Sequence, residues 1–161
     1  MANERAPQQA LFGAGCFWGV ETAFTETPGV TATQVGYCGG NLDRPTYDDV
    51  CSGTSGHTEV VLVQFDPAKI SYQALLERFF AIHDPTQLNR QGPDIGHQYR
   101  SVIHFFDAEQ EHMARDFRTA LSASGKHRHP IVTAIEPAPT FWPAEEYHQK
   151  YHQKHGGGCR A

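Results

Sequence analysis

No stretch of this 161-residue chain approaches the ~20 apolar residues that a membrane helix needs, and the opening Met1-Ala2-Asn3-Glu4-Arg5-Ala6-Pro7 lacks a signal peptide's apolar segment. The expectation is a soluble, cytoplasmic protein with no membrane partner. No run of Lys or Arg offsets a formal net charge of −5, so the electrostatic footprint of a nucleic-acid binder is missing. None of the four cysteines, Cys16, Cys38, Cys51 and Cys159, forms a Cys-x-x-Cys pair. That excludes a zinc ribbon and a thioredoxin-type dithiol. In a reducing compartment an even cysteine count does not argue for structural disulfides, which leaves room for a transient catalytic one. No internal repeat is present. With 39% hydrophobic and 19% charged residues the chain fits one catalytic domain over its whole length. About residues 1–7 read as a flexible N-terminus and about 144–161 as a separate C-terminal segment. Nothing indicates a large apolar interface, so a monomer is expected.

What is present is concentrated in Gly15-Cys16-Phe17-Trp18-Gly19. Leu11 to Ala14 reads as the end of a buried strand and Val20 to Phe24 as the start of a helix, which puts Cys16 at a strand-to-helix junction. Backbone N–H groups at a helix start favour negative charge, and the thiolate is the reactive form of cysteine. The flanking glycines permit unusual dihedrals and close approach by a substrate. The alternative is an inert cysteine beside core aromatics.

Further along, Val30 to Tyr37 and Thr58 to Phe65 read as strands, and the polar stretch from Asn41 to His57 as a long surface loop. A helix starts at Ser71 and stops at Asp84-Pro85, a strand spans about Arg100 to Phe106, and Asp107 with Gln110 makes a capping box for another helix. Ile131 to Glu136 is the last strand. This order predicts an α+β fold: a two-layer sandwich with a ferredoxin-like core, a mixed or mostly antiparallel sheet, long loops and a coil-rich C-terminal tail.

Glu59 shares a strand face with Val61, Val63 and Phe65. Desolvation there would raise its pKa and let it act as a general acid, whereas a strand-end glutamate could instead bend into solvent. Cys159 follows Gly156-Gly157-Gly158, a flexible lead that could carry its thiol to another sulfur or could simply be an unstructured end. The His148-x-x-x-His152 pair is compatible with a metal site, but the four-residue Tyr-His-Gln-Lys repeat reads better as a solvated helix face, so no metal is expected. His57 or His97 could serve a cysteine hydrolase as base, which would leave Glu59 and the aromatic pair unexplained.

Gly15 to Gly19 with Glu21, then Val35-Gly36-Tyr37, Gly39-Gly40, Tyr47, Cys51-Ser52-Gly53, Gly56 to Glu59, Phe65-Asp66-Pro67, His83 to Thr86, Gly92 to Ser101, Phe141-Trp142, Glu145, and Tyr147 to Gln149 with Tyr151 closely resemble peptide methionine sulfoxide reductase A. The match runs from about Leu11 to Cys159. The resemblance implies an oxidoreductase that reduces methionine S-sulfoxide, free or in proteins, without a cofactor, serving protein repair and oxidative-stress defence. It implies Cys16 as nucleophile, Glu59 as proton donor, Phe17 and Trp18 as the pocket for the S-methyl group, and Tyr47, Asp94 and Tyr99 as the polar wall around the sulfoxide oxygen. It further implies Cys159 as the resolving cysteine, a Cys16–Cys159 disulfide, and thioredoxin as reductant. A second C-terminal recycling cysteine, carried by some members, is missing, and Cys38 and Cys51 receive no step.

Overall fold

Residues 8–155 are described by the computed structural model of the chain. Strand β1 (Gln8–Ala14) runs into helix α1 (Phe17–Thr25), and β2 (Val30–Cys38) and β3 (Thr58–Phe65) form an antiparallel pair. Between them lies a short helix, α2 (Tyr47–Cys51), inside the stretch expected to be loop. Its five residues are too few for a periodic apolar pattern, but Thr46 and Asp49 exchange side-chain and backbone hydrogen bonds in a full capping box. Helix α3 (Tyr72–Ala81), capped by Ser71, is followed by a two-residue hairpin, β4 (Arg90–Gln91) and β5 (Asp94–Ile95). Then come β6 (Ser101–Phe105), α4 (Ala108–Ala123), β7 (Ala134–Pro137), β8 (Trp142–Pro143) and α5 (Tyr151–His155).

The main sheet has the order β7-β6-β1-β3-β2-β8. Its four central strands, β6-β1-β3-β2, are antiparallel neighbours separated by α1 and α3, which is the ferredoxin-like arrangement; β7 joins β6 in parallel and makes the sheet mixed. The fold is thus α+β as the element order predicted. The last long strand is shorter than expected, because Val132 N–H donates to Pro85 O and pairing with β6 begins only at Ala134. Asp107 caps α4 as expected, accepting from Gln110 N–H at 2.8 Å. The return half of the capping box differs: Gln110 Oε1 accepts from Phe106 N–H, and its amide donates to Gln9 O, stitching α4 to β1.

Because β1 is central, its residues from Ala10 to Ala14 are buried on both faces. Phe12 faces the helices and stacks on Phe24 at 5.2 Å and Phe79 at 5.0 Å between ring centroids. On the opposite face Leu11 packs with Cys38 and Val60 under Phe141 and Ala138. Strand β8 pairs with β2 at Gly36 and Tyr37, and its approach at Gly36 needs a residue without a side chain: a Cβ there would lie 2.4 Å from Trp142 O. No helix among the described residues is long and apolar enough to cross a membrane.

The stacked position of Phe12 makes it the residue whose truncation should hurt folding most. Phe12→Ala is expected to lower stability by about 3–5 kcal/mol, read as a lower urea midpoint at unchanged slope. A loss under about 1 kcal/mol would contradict the packing described.

Candidate active site

Cys16 is the N-cap residue of α1, half-buried, at the junction the sequence indicated. Gly15 before it has φ 103, a conformation that side chains resist, and a Cβ there would come within 2.9 Å of Gln91. Gln91 is itself fixed by two bonds to the Asp84 backbone, so this wall cannot give easily. The turn therefore presents the thiol at the N-terminal end of α1, where the backbone dipoles favour negative charge.

Glu59 sits on β3 only 1% exposed, on the same face as Val61, Val63 and Phe65. Its Oε1 accepts from the backbone N–H of Phe17, the residue next to Cys16, at 3.1 Å. Burial pushes the carboxyl up to about 8; the Phe17 N–H pulls the other way and the Asp94 charge adds to the rise. Its other oxygen, Oε2, is buried without a hydrogen-bond partner among the described residues. The solvent-facing alternative for Glu59 is thereby removed. At neutral pH this is a protonated acid beside the thiol, with one oxygen uncommitted.

Phe17 and Trp18 open α1 in different surroundings. The Phe17 ring is buried against Tyr37 and His148, while the half-buried Trp18 indole lies 3.8 Å from the Tyr151 ring and 6.5 Å from that of Tyr47, centroid to centroid. Trp18 Nε1–H donates to His148 Nδ1 at 2.9 Å. His148 must then carry its own proton on Nε2, and burial, opposed by the Glu145 charge, lowers its pKa and keeps the ring neutral. His148 thus orients the indole. The solvated-face reading of the C-terminal repeat is corrected here: His148 is 1% and His152 7% exposed, and His152 Nδ1 pairs with the Thr22 hydroxyl of α1.

The remaining polar residues converge from separate elements. Tyr47 opens α2, Tyr99 closes a single 3₁₀ turn (His97–Tyr99), and Asp94 stands on β5. Burial raises both phenol pKa values, and the Glu59 charge raises them further; Asp94 and Cys16 act on Tyr99 as well. Both hydroxyls therefore stay protonated and can donate. Two residues that carry the resemblance received no role from the sequence. Tyr37, on β2 and paired across the sheet with Glu59, is fully buried and donates its hydroxyl to Glu145 Oε1, while Glu145 Oε2 accepts from Tyr47 N–H. Strand alternation could have placed Tyr37 on the Glu59 side, but nothing local signals its partner beyond position 140.

The other candidates lie elsewhere. Cys38 points to the opposite face of the sheet, where burial pushes its thiol up to about 12. Cys51 is exposed on α2, and burial of its thiol pushes that group's pKa up. His57 is engaged by Gly40 N–H and Leu42 O, and His97 by Arg100, so both imidazoles serve the surrounding loop. Among the described residues no group of three or more His, Cys, Asp or Glu side chains could hold a metal ion. Cys159 lies outside the described residues.

The site's chemistry follows from these placements: a thiol, a buried carboxylic acid, two phenols and an aromatic wall can bind a small polar oxide and protonate its oxygen. Titration of the Glu59 carboxyl carbon by NMR is expected to give a midpoint near 8. A midpoint below about 5.5, close to an ordinary glutamate, would refute the desolvated site.

Residues 8–161 match the family model described as peptide methionine sulfoxide reductase. The chain is 60% identical to a protein of Methanoculleus marisnigri named peptide methionine sulfoxide reductase MsrA, over 99% of this chain and 98% of that one. Among solved structures, Mxr1 from Saccharomyces cerevisiae in reduced form superposes with a TM-score of 0.87 at 32% identity, covering 95% of this chain and 88% of that chain. Methionine sulfoxide reductase A of Corynebacterium diphtheriae superposes with a TM-score of 0.84 at 36% identity, covering 99% and 80%. With a family model matched over almost its full length and a relative 60% identical across nearly the whole of both chains, the chain belongs to the peptide methionine sulfoxide reductase family and is an oxidoreductase of that kind.

Proposed function

We propose that the chain is a single catalytic domain that reduces methionine S-sulfoxide, free or in proteins, by thiol chemistry at Cys16, and that it serves protein repair. The observation that carries this reading is the buried Glu59 acid, bonded to Phe17 N–H and held up to about 8, with an oxygen left without a partner among the described residues. A sulfoxide is reduced only if its oxygen is protonated as it leaves sulfur, and an acid that keeps its proton at neutral pH suits that step. Cys16 thiolate attacks the sulfoxide sulfur, Glu59 delivers the proton, and the Tyr47 and Tyr99 hydroxyls hydrogen-bond the oxygen. Asp94 supports the protonated state of Glu59 by its charge. Phe17 and Trp18, the latter oriented by His148, enclose the S-methyl group, and the asymmetry between this apolar wall and the polar one selects the S epimer.

The sulfur of methionine gains two electrons and Cys16 loses two, so oxygen ends on Cys16 as a sulfenic acid. Cys159 thiolate then attacks that sulfur, water leaves, and a Cys16–Cys159 disulfide remains. Thioredoxin's dithiol restores the reduced pair by exchange. The Gly156-Gly157-Gly158 lead to Cys159 and the solution of yeast Mxr1 in complex with Trx2 support this recycling route.

Incubation with dithiothreitol should convert methionine S-sulfoxide to methionine and leave the R epimer unchanged; equal turnover of both would defeat the pocket argument. Cys16→Ser should abolish reduction. Cys159→Ser, given thioredoxin alone, should release about one equivalent of methionine per enzyme and stop, and sustained turnover would remove Cys159 from the cycle.

A further inference from the structure

A cavity of about 310 Å³ reaches from Cys16 and Asp94 along α1, past Gly19, Thr22 and Ala23, to Glu26, with His152 of α5 on its rim. Its far side is made by Arg78 and Ile82 at the end of α3. Neither Phe17, Trp18, Tyr47 nor Glu59 lines it, so it is not the pocket for the reacting group.

Arg78 is the feature of this groove that ordinary packing leaves unexplained. Among the described residues its Nε is buried without a hydrogen-bond partner, its Nη2 reaches only Ala23 O at 3.5 Å, and it forms no ion pair. A half-buried guanidinium with spare donors, facing a groove, calls for a carboxylate. The carboxylates already there sit at the two ends, Asp94 beside Cys16 and Glu26 beyond Arg78.

We infer that this groove is a subsite for peptide residues flanking the methionine sulfoxide, and that Arg78 selects an acidic side chain at the third residue from it. The inference rests on the proposed reduction at Cys16. Distance sets the position. Ala23, against which Arg78 lies, follows Cys16 by about two helical turns, roughly 10 Å at ~1.5 Å per residue. An extended peptide covers that in about three residues at ~3.3–3.6 Å each. The carboxylate of free methionine sulfoxide belongs to the same residue as the reacting sulfur and falls short of Arg78. An acidic residue next to the methionine sulfoxide meets Asp94 instead and is disfavoured. The groove therefore ranks methionine positions in proteins by their local charge pattern and leaves the free amino acid unranked.

The test uses blocked heptapeptides with central methionine S-sulfoxide in an alanine background and Glu or Lys at the third residue on either side, assayed with dithiothreitol. On the side that lies along α1, kcat/KM should favour Glu over Lys by roughly fivefold. Arg78→Glu should reverse the preference, and Arg78→Lys should keep its sign. Turnover of free methionine S-sulfoxide by the same variants separates the two readings. If free substrate is reduced but neither side shows a charge preference, or Arg78→Glu leaves the preference unchanged, the subsite is wrong and the reduction stands. If Arg78→Glu alters only thioredoxin-driven turnover, the groove seats the chain's own C-terminal segment or the reductant, which also overturns the inference. If the wild-type chain reduces neither free methionine S-sulfoxide nor any of the peptides, the failure lies in the underlying reading.

Discussion

The bond from Phe17 N–H to the Glu59 carboxyl ties together the two elements on which everything else at the site depends. The first turn of a helix leaves N–H groups without partners inside the helix, and here the sheet supplies one from a carboxyl inside the apolar core. That fixes where α1 starts relative to β3 and hence where Cys16 sits. Two forces act on the same acid. The N–H favours the ionised form, burial favours the protonated one, and burial prevails, with a pKa near 8 rather than in the ordinary carboxylate range. Moving α1 outward by a small distance would both lose the bond and admit water, so the acidity of Glu59 and the position of the thiol are one constraint.

A second set of contacts holds α1 from the other side, and it is mostly polar. Gln149 imitates a strand, accepting from Val35 N–H and donating to Val35 O through its side-chain amide. The buried Glu21 carboxylate of α1 accepts from Lys150 N–H, Lys150 Nζ and the Thr33 hydroxyl. Lys150 adopts a positive φ of 55, which fits a segment shaped by its partners rather than by its own propensity. With His148 on Trp18 and His152 on Thr22, residues 145–152 form a clasp over the first two turns of α1. Its specificity comes from hydrogen-bond geometry together with the stacking of Tyr151 on Trp18.

Much of the fold was legible in the sequence. Alternation revealed β2 and β3, Ser71 and Asp107 announced the helices they cap, and the spacing along β3 put Glu59 on the core face. The same alternation separates Tyr37 from Cys38 across the sheet. Short elements were not legible: α2 and the β4–β5 hairpin are too brief for any period to emerge, and only the Thr46/Asp49 cap marked α2. The clasp was misread because Tyr-His-Gln-Lys carries no apolar stripe, and its partners lie 114–130 residues away. Local spacing carries no information about such distant pairing. The convergence of Tyr47, Asp94 and Tyr99 was likewise invisible to periodicity and came from the family resemblance, since three separate elements deliver them.

The 130-residue separation between Trp18 and His148 also sets an order in time. A ribosome makes the thiol and its helix first and the residue that orients the indole 130 residues later, at ~5–20 residues per second. The ferredoxin-like core closes its sheet once β6 has emerged, while the clasp is still unmade. A nascent or truncated chain that stops before residue 145 thus holds Cys16 and Glu59 but lacks Glu145 behind Tyr47 and the acceptor for Trp18. The binding wall is therefore closed by a segment that follows the whole ferredoxin-like core in the chain, so it cannot form before that core has been made.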